Sequence, residues 1–86
     1  MTKTERETIP VTISSPDEVL WQGKAVSVSS ENSVGPFDIL PGHSNFVTLV
    51  KNTPIIIRTS RGEERFTYQN SVISVQNEEI EIYADV

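Results

Sequence analysis

The spacing of apolar residues leaves this chain one broad kind of fold. Ile9, Val11 and Ile13 alternate with Pro10, Thr12 and Ser14, the period of two that marks a strand with one buried face. Ile80 and Ile82 repeat the pattern against Glu79 and Glu81, so the last strand has a wet face. No window of eleven residues keeps apolar side chains at i, i+3, i+4 and i+7, and β-branched residues dominate each apolar run. No substantial helix is expected. The fold class is all-β: an antiparallel β-sandwich or flattened barrel of about eight to ten short strands, punctuated by turn signals.

The punctuation sets the expected boundaries. Ser15-Pro16-Asp17-Glu18 is turn chemistry after the first strand. Gln22-Gly23 is expected to break the next run after Val19-Leu20-Trp21. A second strand then follows over Lys24 to Ser30, with Val26 and Val28 on one face and Ala25, Ser27 and Ser29 on the other. Trp21 reads as a core or rim aromatic. Glu31-Asn32-Ser33 turns the chain into a loop from Val34 to Phe46, and Phe46 to Val50 leaves it as a strand apolar on both faces. Such a run suits burial on two sides, by neighbouring elements or by a partner protein. After the Lys51-Asn52-Thr53-Pro54 turn come two hairpins. Ile55 to Thr59 pairs with Arg65 to Gln69 around Gly62, which can supply positive φ. Val72 to Val75 pairs with Ile80 to Tyr83 around Gln76 to Glu79.

Composition narrows the function classes. With 86 residues the chain has room for one core, so residues 9 to 86 are expected to form one domain behind a flexible polar segment over residues 1 to 8. A net charge of −5 repels phosphate backbones and argues against a nucleic-acid partner. No apolar run approaches the roughly 20 residues that span a bilayer, and the first eight residues lack the apolar segment of a signal peptide. The absence of cysteine excludes disulfides and thiolate metal sites. Together these features predict a cytoplasmic protein without direct membrane insertion.

The segment from Gly35 to His43, Gly-Pro-Phe-Asp-Ile-Leu-Pro-Gly-His, carries the chain's one signature. Proline fixes φ and glycine admits positive φ, so the sequence describes a stiff, shaped loop. Ile39 and Leu40 read as core anchors for it. His43 is the single histidine, and one histidine without further ligands at suitable spacing makes a poor metal site. A turn role bonded to nearby backbone and an interaction role both remain open for it. Asp38, His43 and Ser44 supply the residue types of a hydrolytic triad, but geometry defines that constellation and no spacing here imposes it.

The order of these features resembles the N-terminal β-sandwich of the epsilon subunit of F-type ATP synthases, called delta in mitochondria. Gly35 to His43 matches the family's Gly-x-x-x-Ile-Leu-Pro-Gly-His. Ser15 to Gly23 resembles its opening turn, and Ile82-Tyr83-Ala84-Asp85 its closing strand. Pro36 and Asp38 depart from the common pattern, and Asn70-Ser71 stands where a Gly-Gly pair is usual, tolerable if Asn70 is left-handed. The resemblance implies a non-catalytic central-stalk part without cofactor or metal, holding the gamma subunit on one side and the c-ring on the other. On that reading Gly35, Pro36, Phe37, Asp38, Pro41, Gly42 and His43 form the c-ring-side loop, and Phe46, Val47 and Thr48 the gamma-side strand. In the usual member two C-terminal helices follow the Ala-Asp end. This sequence stops at Val86, so the inhibition and ATP binding of that hairpin are not expected of these residues. A free-standing adaptor with the same sandwich is the second reading.

Overall fold

A computed structural model describes residues 8 to 85. The expected flexible segment lies outside the described residues except for Thr8. Nine strands follow in order: β1 (Ile9–Ser14), β2 (Val19–Ala25), β3 (Ser27–Asn32), β4 (Gly35–Ile39), β5 (Phe46–Lys51), β6 (Ile55–Thr59), β7 (Gly62–Phe66), β8 (Asn70–Gln76) and β9 (Glu79–Ala84). They form a five-stranded sheet, β2-β1-β9-β8-β5, and a four-stranded sheet, β4-β3-β6-β7. The two sheets stay separate, so the fold is a sandwich and not a closed barrel. One pair departs from the antiparallel expectation: β1 runs parallel to β9, joining the first and last strands at the middle of the larger sheet.

The core is the set of inward faces that the alternation predicts. Ile9, Val11, Ile13, Ile73, Val75, Ile80 and Ile82 line one sheet, and Val28, Ile39, Ile55 and Ile57 the other, all essentially without solvent contact. Each such side chain contributes roughly 1.5 to 3 kcal/mol by leaving water, and their branched Cβ suits the pleat. Aromatic residues close both open sides between the sheets. Trp21 on β2 meets Phe66 on β7 at 6.0 Å, and Phe66 stacks on Tyr68. Across the molecule, Phe37 on β4 meets Phe46 on β5 edge-on at 5.5 Å.

Several boundaries fall elsewhere than the punctuation suggests. Gln22-Gly23 does not break a strand. Gly23 lies within β2 beneath the Trp21 ring, where an added Cβ would come within 2.7 Å of the indole, so glycine is there for close approach. The break comes at Val26, where the chain leaves the larger sheet for the smaller, and Val26 N donates to Arg58 O as it joins. That crossing resets the alternation, so Ala25 is buried with Val28 instead of opposite it. The loop expected from Val34 to Phe46 is also shorter, because Gly35–Ile39 pairs with β3 as a hairpin and only residues 40 to 45 remain loop. The strand expected at Arg65 to Gln69 begins earlier, at Gly62, which has φ +137° as anticipated. Asn70 is not left-handed but starts β8. The positive φ values that close the neighbouring turns belong to Asn52, Asn77, Glu78 and Asp85.

Candidate interaction surfaces

The outer face of the larger sheet carries a row of apolar side chains. Register places Leu49 beside Val72, Val72 beside Tyr83, Tyr83 beside Ser14, and Ser14 beside Val19. The last pairing lies beyond a register shift between Ile13 and Ser14, and with it all five strands contribute one residue to a transverse line, four of whose five members are apolar or aromatic. Leu49 is 47 % exposed and Val19 56 %, while Val47, next on the outer face of β5, is 60 % exposed. The strand that reads as apolar on both faces is thus covered on one face only, by Phe46 and Val50, with Val47 and Leu49 open to solvent. The adjoining row, Val47, Ser74, Glu81, Thr12 and Gln22, turns polar after its first member. Tyr83 donates its hydroxyl to Glu81, and that hydrogen bond, ahead of desolvation and the carboxylate's charge, raises its pKa.

The outer face of the smaller sheet is mostly polar, with Ile56 half-buried between Ser29 and Arg65. Ser29 donates to Asp38, Arg58 Nη1 donates to Ser29 Oγ at 3.2 Å, and Arg58 lies 3.9 Å from Glu63, which also accepts from Arg65 Nε at 3.1 Å. Asp38 is therefore paired within a surface network. His43 instead closes its own turn: its N–H donates to Leu40 O at 3.0 Å and its Nδ1 lies 2.8 Å from Ser44 O. Asp38 and His43 thus use different partners, and no triad is assembled. Among the described residues no group of three His, Cys, Asp or Glu could hold a metal.

The expected loop residues divide between two ends of β4. Gly35 and Pro36 sit beside the β3–β4 hairpin tip, whose Val34 is 94 % exposed. Pro41, Gly42 and His43 lie at the other end, beyond a strand that spans roughly 13 Å from its first residue to its last at about 3.3 Å per residue. Gly42 has φ +86°, the left-handed backbone that the turn requires. The His43 ring packs edge-on against Phe46 at 5.5 Å, so this end belongs with β5. Phe37 turns inward to Phe46, Ile39 is fully buried, and Leu40, expected as core, is 53 % exposed. An open cleft of about 490 Å³, lined by Glu31, Asn32, Ser33, Leu49, Lys51 and Thr53, runs between the hairpin and β5.

The sequence singles out β5 and the segment from Gly35 to His43, but as a loop and not as the β3–β4 hairpin, and it gives no surface role to Val19, Val72, Tyr83 or Val34. Tyr83 was within reach, because a period of two puts it on the same face as Glu79 and Glu81. Val72 and Val19 join the row only through cross-strand register, which one chain's alternation does not supply.

A sandwich sealed by aromatics on both open sides, with apolar side chains laid across one outer face, defines the class: a small all-β module that presents surface more than it encloses a cavity. The family profile described as the ATP synthase, Delta/Epsilon chain, beta-sandwich domain matches residues 8 to 86, and the chain belongs to that family. The ATP synthase epsilon chain of Clostridium kluyveri is 31 % identical over 81 residues, which cover 93 % of this chain and 61 % of that one. The epsilon chain of Corynebacterium jeikeium is 40 % identical over 68 residues, 77 % of this chain and 55 % of the relative. This chain therefore spans less than two thirds of the length of these relatives. Two solved structures share the fold at low identity. A chain of the Euglena gracilis mitochondrial ATP synthase, from an OSCP, F1 and c-ring assembly, superposes with TM-score 0.79 at 18 % identity over 90 % of this chain and 50 % of that one. A chain from the central stalk and c-ring of the Tetrahymena thermophila enzyme gives 0.72 at 13 % over 87 % of this chain and 61 % of that one.

Proposed function

We propose that this chain acts as the epsilon subunit of the central stalk of a rotary F-type ATP synthase, a non-catalytic part that docks on the gamma shaft and the c-ring. The observation that carries the reading is the apolar row across the larger sheet, continuous with Val47 and Leu49 on β5. An exposed apolar band of this kind favours burial against another protein surface. The gamma subunit takes this face through Val47, with Phe46 and Thr48 supporting it from the inward side of β5 and His43 packed against Phe46. The c-ring takes the hairpin tip, where Val34, Gly35 and Pro36 project. Phe37 and Asp38 support that tip from within β4, and Pro41 and Gly42 shape the turn that carries His43.

A part that couples ion translocation to ATP synthesis must not yield between its two contacts. Nine short strands, aromatic seals and proline-bearing turns meet that need. The subunit's place is peripheral to the membrane on the cytoplasmic side, reached through the assembled complex. Among the described residues no helix is long and apolar enough to cross a bilayer. Co-elution with the gamma subunit from the same genome tests the reading. A stable one-to-one complex at moderate salt supports it. Separate peaks from a folded chain would turn attention to an adaptor with a different partner.

A further inference from the structure

Asn32, the last residue of β3, makes hydrogen bonds in two directions. Its Oδ1 accepts from Val34 N at 2.9 Å and from Gly35 N at 3.2 Å, the turn that shapes the hairpin tip. Its Nδ2 donates to Thr48 Oγ1 at 2.9 Å. The side-chain orientation follows from the bonds themselves, since only the amide oxygen can accept from two backbone N–H groups. β3 lies in the smaller sheet and β5 in the larger, and no ladder joins them. One part-buried amide therefore bridges the two sheets at the base of the tip.

We propose that Asn32 is a positioning residue that locks the hairpin tip to β5, so that the tip and the outer row of the larger sheet move as one body. Its consequence for coupling rests on the stalk reading above, whereas the lock stands on the bond geometry alone. Beyond the β3–β4 ladder, which ends at Asn32 and Gly35, no side chain anchors the tip: Ser33 and Val34 are exposed, and Val34 buries almost none of its side chain. Exposed hairpin tips without apolar anchors are the least stable parts of a fold and move on nanosecond to microsecond timescales. The bridge removes that slack where two docking surfaces meet.

Three substitutions separate the lock from the turn. Asn32→Ser keeps a short acceptor for the tip amides but cannot reach Thr48. Thr48→Val keeps the branched shape and removes the hydroxyl, and Thr48→Ser restores it. Backbone ¹⁵N relaxation on the full chain reads the tip directly. The lock predicts that order parameters at Ser33 and Val34 fall from about 0.85 to below about 0.6 in Asn32→Ser and in Thr48→Val. The double variant should be no worse than either single one, because both remove the same bond, and Thr48→Ser should match the parent. In the assembled synthase, Asn32→Ser should retain gamma binding yet lower the ions pumped per ATP hydrolysed by at least about twofold. A tip that stays ordered in both single variants overturns the lock. A mobile tip with unchanged pumping per ATP overturns its part in coupling. If the parent chain fails to bind gamma, the stalk reading falls while relaxation still decides the lock.

Discussion

The two outer faces of this sandwich are built from the same alternation and end in opposite chemistry. On the larger sheet the register lines up Leu49, Val72, Tyr83 and Val19 with Ser14 between them. On the smaller sheet one row runs Asp38, Ser29, Ile56 and Arg65 and another Ser27, Arg58 and Glu63, so Ile56 is the one apolar member among side chains that pair with one another. Inward faces on both sheets are mainly Ile and Val, with Ala25, Ala84, Ser30 and Ser71 among them. Stability therefore comes from the inside of both sheets, and the outside of one sheet leaves apolar side chains in water. A charged surface network in water contributes little to folding, because solvent screens it and ordering long side chains costs entropy. The apolar row gains nothing by facing water, which makes it the face that a partner can improve.

The largest expected effect tests the inner against the outer positions of one strand. Ile73→Ala on β8 should cost about 2 to 5 kcal/mol in urea unfolding, since the site is enclosed and leaves a cavity. Its neighbour Val72→Ala should cost well under half as much, and equal costs would mean that the outer row is folded core. Next in size, Gly42→Val should cost about 1 to 3 kcal/mol, because a β-branched residue is strained at φ +86°. A parent-like melting temperature would show that this turn can relax.

Leu49→Ser should leave the melting temperature within about 2 °C of the parent and weaken gamma binding about tenfold, near 1.4 kcal/mol. Titration calorimetry checks it, and unchanged affinity would remove β5 from the interface. Arg58→Ala, across the molecule, should change stability by less than about 1 kcal/mol and leave gamma affinity as it is. A tenfold loss there would invert the comparison.

The smallest effect concerns Tyr68, which seals a side and belongs to neither face. Burial first, and then the charge of Asp85, raises its phenol pKa above the ordinary 10.0. A raised folded-state pKa contributes stability that is complete below the unfolded value near 10 and is lost as pH rises through the folded value. Thermal melts between about pH 9 and 11 should therefore decline more steeply for the parent than for Tyr68→Phe, and parallel declines would contradict this.

Much of the fold was legible in the chain because β-strand alternation is local. Ile9, Val11 and Ile13, and likewise Ile80 and Ile82, point inward as their spacing requires. The crossing between sheets at Val26 was not legible, since a bend that resets the alternation inside a run of small residues has no glycine or proline to mark it. Gly23 misled for the converse reason: its purpose is room for the Trp21 ring, a tertiary contact. The candidate surfaces divide in the same way. Gly35 to His43 announced itself through proline and glycine, yet its pairing with β3 separates Gly35 from His43 by the length of a strand. Asn32 resembles any turn residue until Thr48 is brought beside it from the other sheet.

The gamma subunit is proposed to cover the outer face of the larger sheet. Because the protein has no cysteine, Leu49→Cys and Arg65→Cys each place a single thiol on one face. The most direct measurement is the maleimide labelling rate of each variant, alone and with the cognate gamma subunit. The account predicts that gamma slows labelling at position 49 at least about tenfold and leaves position 65 unchanged. Protection at position 65 with free labelling at position 49 would contradict it.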